Sequence, residues 1–168
     1  MMDHAVGLAH AVELGRQCPA VRVLKLASLR ADESLAVPVH PPRDAPFRRL
    51  EEFHLYSGAG PVLEYVLLHA LQLRRVSVTP GLPEEAAPAW TDATLRRILD
   101  VNPLAELASF SLACPCELTM DSVYSLLLGC PKLRALFDLN EWAVSQQQMC
   151  ELQELVAVNN WDLEMGLL

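Results

Sequence analysis

Short apolar pieces recur along the chain in one arrangement, apolar-x-x-apolar-x-apolar. It reads Val21/Leu24/Leu26, Leu50/Phe53/Leu55, Leu73/Val76/Val78 and Leu107/Phe110/Leu112. Leu133/Leu136 follows with Asp138 in the third position, and Val158/Trp161/Leu163 forms the last copy. The final two anchors of each copy are two residues apart. On a strand they share one face, and the residues flanking them face the other way. Between these pieces lie helical spacings, over residues 3–17, 61–71, 91–101, 119–129 and 145–158. Three of them open on Thr91, Thr119 or Ser145, whose side chains suit a helix N-cap. Pro61 suits a first helical turn.

One such strand cannot bury its apolar face alone. A helix between successive strands makes them parallel neighbours, and stacking them gives one continuous core. First anchors are separated by 23 residues (Leu50 to Leu73) at the closest and 34 (Leu73 to Leu107) at the widest. The spread centres on repeat units of about 20–29 residues. The long intervals hold proline-rich insertions near residues 30–47 and 79–90, which cannot continue a strand or helix. The predicted architecture is a single α/β domain over residues 1–168. It is a short solenoid of five to six irregular repeats, with parallel strands on the concave side and helices on the convex side. Leu24, Leu26, Leu55, Val78, Leu112 and Leu136 are expected in its core.

Two stretches carry a family resemblance. CPAVRVLKLASL begins at Cys18, and LTMDSVYSLLLGCPKLRALFDL begins at Leu118; both contain Cys-Pro-x-apolar-Arg-x-Leu. They resemble leucine-rich-repeat proteins of the irregular, long-repeat type found in F-box leucine-rich proteins and ribonuclease-inhibitor-like horseshoes. The Asn or Cys that closes each strand's loop in that type is replaced here by Leu29, Gly58, Gly81, Pro115 and Glu141. No F-box is recognisable. LPEEAAPAW at residues 82–90 shares only a Leu-Pro and a Trp with that module. The resemblance implies a scaffold that binds a protein partner on its concave strand face, with substrates or regulators of ubiquitin ligation as partners.

Composition narrows the partner. The 168 residues are 52% hydrophobic and carry a formal charge of −8, which argues against a phosphate-binding surface built from clustered Lys and Arg. The five cysteines have no framework spacing and read as reduced thiols. The N-terminus lacks the basic and long apolar regions of a signal peptide. The longest apolar run, residues 62–73, is interrupted by Glu64, His69 and Gln72, so no membrane span is expected. Together these point to a cytoplasmic or nuclear protein with neither a nucleic-acid nor a membrane partner.

The strand residues facing away from the core form the candidate partner-binding face: Lys25, Glu52, His54, Arg75, Ser77, Ser109, Ser111, Phe137, Asn160 and Asp162, with Val23 and Ala135 among them. Charges, hydroxyls and one aromatic suit a protein surface, and Arg75, His54 and Phe137 are its natural anchors. No catalytic residue, metal site or cofactor is expected. Cys114-Pro115-Cys116 lacks the paired spacing and partner ligands of a zinc site. Cys18 and Cys130, each just ahead of a proline, are expected to be buried packing groups. The glycine-containing turn 57–61 lacks the third glycine of a dinucleotide fingerprint and any Gly-Lys-Ser/Thr. The alternative of a different class is a small cytosolic enzyme with a Cys/His site. The apolar end, NNWDLEMGLL, is expected either to continue into further repeats or to pair with another chain, with Met165 exposed beyond the last strand.

Overall fold

A computed structural model describes residues 7–27, 37–40, 44–56, 60–79, 90–114 and 116–166. The elements in order are α1 (Leu8–Gln17), β1 (Val23–Ala27), β2 (Glu52–Tyr56), α2 (Gly60–His69), β3 (Arg75–Thr79), α3 (Asp92–Val101), β4 (Ser109–Leu112), α4 (Met120–Gly129), β5 (Ala135–Phe137), a 3-10 helix (Leu139–Glu141), α5 (Gln146–Val158) and β6 (Glu164–Gly166). The six strands form one parallel sheet in chain order, β1 to β6.

Local chemistry sets the helix starts. Thr91 accepts from the Thr94 backbone N–H at 3.4 Å, and Thr119 accepts from that of Asp121 at 3.2 Å. Ser145 and Gln148 form a reciprocal capping box, at 3.3 Å and 2.9 Å. These bonds satisfy amide donors that a first helical turn leaves without partners.

The anchors build the core. Leu24, Leu26, Phe53, Leu55, Val76, Val78, Phe110, Leu112 and Leu136 are buried. They share one apolar cluster with Leu95 and Ile98 of α3 and with Val123 and Leu126 of α4, so the helices cover that side of the sheet. Helix α2 is buried from Val62 to His69. No α-helix lies between β1 and β2 among the described residues. Ala45, Phe47 and Leu50 are buried there instead, and a Cβ on Gly15 of α1 would strike Pro46 at 2.6 Å. The end of the first proline-rich stretch is therefore core. Residues 30–36 and 41–43 of it and residues 80–89 of the second, with most of LPEEAAPAW, lie outside the described residues, as do Leu29, Gly58, Gly81 and Pro115.

Three expectations are corrected. The sixth strand is Glu164–Gly166, with Met165 half-buried opposite Leu136, rather than a strand through Trp161 and Leu163. Helix α5 runs through Val158, which is 84% exposed, and Asn160 turns the chain with φ 50°. The residues up to Leu163 are thus spent on leaving the helix. Met165 accordingly lies within the strand instead of beyond it. Finally, Cys18 is exposed while Cys130 is buried, its thiol 3.8 Å from Pro103 O. Pro103 belongs to the layer before Cys130; Cys18 ends α1, which has no earlier layer among the described residues.

A buried histidine tunes stability with pH. His69 Nε2 accepts from the His40 backbone N–H at 2.9 Å, and its Nδ1 lies 2.7 Å from Tyr65 O. The ring is therefore neutral with its proton on Nδ1. Burial, helped by the neighbouring His40, holds its pKa below the usual 6.5, outweighing the bond to Tyr65. The unfolded chain takes up this proton first on acidification. Stability is full above about pH 6.5 and falls as pH drops toward the lower folded value. Urea midpoints measured from about pH 7 to pH 5.5 should fall in the native protein. They should fall less in His69→Gln, which can accept and donate at the same two sites; equal slopes would remove His69 as the source.

Candidate functional site

The sheet face opposite the helices gathers most of the expected site. Two side-chain rows cross it in register. One runs Val23, Glu52, Arg75, Ser109, Ala135, Glu164. The other runs Lys25, His54, Ser77, Ser111, Phe137, Gly166. With about 4.8 Å between strands, the rows span roughly 24 Å.

The β1–β3 side of this face is charged. Glu52 holds His54 Nε2 at 3.5 Å with one carboxylate oxygen and Arg75 Nη1 at 3.7 Å with the other. Lys25 and Arg75 are exposed, while Glu52 and His54 are half-buried. Pairs of this exposure contribute about 0–1 kcal/mol, so Glu52 adds little to the stability of the fold. The middle is low, formed by half-buried Ser77, Ser109 and Ser111. Half-buried Phe137 rises beside them, and a Cβ at Gly166 would collide with its ring. The last strand's missing side chain makes room for the aromatic.

Sequence reasoning missed Asp138, Tyr56 and Glu164 on this face. Ser111 Oγ donates to the Asp138 carboxylate. Asp138 leaves β5 with φ 63°, a conformation Asp tolerates better than most residues. Its polar interruption of the apolar anchors was the available signal. Tyr56 is 45% exposed at the end of β2, beside Thr79 of β3. Asn160 and Asp162 are not strand residues, as corrected above. Asp162 lies ahead of β6 and pairs with Arg134, and Glu164 takes its place in the row.

The cysteines lie elsewhere. Burial, together with the nearby Cys116 and Glu141, pushes the Cys114 thiol up to about 12. Burial alone does the same to Cys130, and Cys116 is also raised, first by burial. Nucleophilic cysteines need the opposite environment, one that favours the thiolate. Among the described residues, no three His, Cys, Asp or Glu side chains converge as metal ligands, and no helix is long and apolar enough to cross a membrane. A groove of about 270 Å³, lined by Leu127, Cys130, Leu133 and Trp161, opens toward the N-terminal ends of β5 and β6, rimmed by Arg134 and Asp162.

No family model matches the chain, and no curated protein or solved structure is significantly similar to it.

Proposed function

We propose that the chain is a leucine-rich-repeat-like solenoid that binds a protein partner across the exposed face of its sheet. The observation that carries this reading is the face itself: two in-register rows of side chains, with Arg75, His54 and Phe137 over a low serine floor. Arg and aromatic side chains dominate binding energy in protein interfaces, and broad strand faces are the binding surfaces of stacked-repeat proteins. The family resemblance makes substrates and regulators of ubiquitin ligation the first partners to test.

The test is an affinity capture from cell extract, comparing the native chain with Arg75→Glu/His54→Ala/Phe137→Ala after circular dichroism shows both folded. Partners retained by the native chain and lost by the variant are expected, at a cost of about 2 kcal/mol or more per anchor. Partners captured equally by both would move binding off this face.

A further inference from the structure

The two outer edges of the sheet fit each other. Between layers one backbone arrangement recurs, in which a single carbonyl just ahead of a strand accepts two N–H groups from the next layer. Arg22 O accepts from Glu51 N at 2.8 Å and Glu52 N at 3.0 Å; Glu51 O accepts from Arg74 N and Arg75 N at the same distances. Arg74 O binds Ala108 N and Ser109 N, and Ala108 O binds Arg134 N and Ala135 N. Arg134 O then receives Glu164 N at 2.7 Å. The next acceptor in the series is Leu163 O. The donors that begin the series are Arg22 N and Val23 N. Val23 N–H shares a trans peptide with Arg22 O, and Leu163 O with Glu164 N, so each points away from the neighbouring strand that its peptide partner bonds. Among the described residues, Arg22 N and Leu163 O have no backbone partner, and no strand lies outside β1 or β6.

Charge selects how such edges meet. The β1 edge carries Arg22 and Lys25, and the β6 edge carries Asp162 and Glu164, all exposed. Arg22 already pairs with Glu51, and Arg134 with Asp162, so charges alternate along this rim. Two β1 edges would bring cations together, and two β6 edges would bring anions together. Only β6 against β1 joins unlike charges, and it also preserves the parallel strand direction.

We propose that a second copy of this chain docks its β1 edge against β6, parallel and head-to-tail, with Arg22 and Lys25 facing Asp162 and Glu164. Leu163 O would receive the Arg22 and Val23 N–H groups of that copy. The contact is heterologous, so assembly proceeds beyond a closed pair unless the rotation forms a ring.

Sedimentation velocity over a concentration series tests this. The weight-average sedimentation coefficient should rise with concentration, and less steeply at about 0.5 M salt. Arg22→Asp and Asp162→Arg should each weaken association about tenfold or more, and an equimolar mixture of the two should restore it. Both sites are exposed, so both variants should keep the native circular dichroism spectrum. Should either misfold, Lys25→Glu and Glu164→Lys replace the pair. A single monomeric species at every concentration would overturn the proposal. So would an assembly that neither reversal weakens, since another surface would then be responsible.

Discussion

Leu112→Asp should abolish the cooperative unfolding transition. Leu112 is fully buried on β4, in register with Val78 of β3, and its carbonyl accepts from Trp142 Nε1 at 3.3 Å. That indole also meets Phe110 edge-on, at 6.2 Å and 84°. Removing the leucine side chain from a packed site costs about 2–5 kcal/mol. Burying a carboxylate without a partner adds several more, through desolvation of the ion or the shift needed to keep it neutral. Together these approach the whole stability of a domain, about 5–15 kcal/mol. Far-ultraviolet circular dichroism and a urea titration should show an unfolded or molten chain. Ser109→Asp is the matched control, three residues away on the opposite face and in register with Arg75. It should stay within about 0.5 kcal/mol of the native chain, as surface substitutions usually do. Because strand faces alternate residue by residue, a pairing slipped by one would exchange the two outcomes. A folded Leu112→Asp protein with an unchanged melting temperature would therefore overturn the register.

The same alternation made much of the architecture legible in sequence. Apolar pairs two apart place β2, β3 and β4 because they mark which strand face is buried, and Thr91, Thr119 and Ser145 give helix starts because a cap is a local bond. Tertiary packing left no such trace. Phe47 lies in a stretch punctuated by prolines, yet it packs beside Gly15 of α1 and meets Tyr65 edge-on at 6.0 Å. The misplaced last strand has a different cause. Val158, Trp161 and Leu163 imitate the anchor spacing, while α5 carries its helical period through Val158 and the chain then needs a turn. Most of the exposed strand face was legible, since its residues are the outward partners of the anchors. How they combine was not. Glu52 reaches both His54 and Arg75 only because β2 and β3 pair as Glu52↔Arg75, and a spacing within one strand carries no information about its neighbour's register.

Asn102 shows the limit most sharply, because no periodicity marks it and its loss should be the next most damaging change. It caps the end of α3 and is buried. Its side-chain N–H groups reach Leu67 O at 2.7 Å and Ala70 O at 3.3 Å on the preceding layer, and its oxygen accepts from Leu104 N at 3.4 Å. One side chain thus serves three buried backbone groups. It also holds a turn in which Leu104 adopts φ 48°, a conformation that costs a residue with a Cβ about 1–2 kcal/mol. Asn102→Ala leaves two carbonyls and one amide without these partners and releases the turn. At about 1–3 kcal/mol for a buried group left unpaired, partly recovered by relaxation, the expected loss is about 2–4 kcal/mol in the urea unfolding free energy. Asn102→Asp separates the contributions, since it keeps an acceptor for Leu104 but sets a carboxylate against the Leu67 and Ala70 carbonyls. It should be the less stable of the two at neutral pH and regain ground as acid protonates it. Should Asn102→Ala unfold within about 0.5 kcal/mol of the native chain, the carbonyls must find partners without Asn102, and the link between α2 and α3 would rest on apolar packing alone.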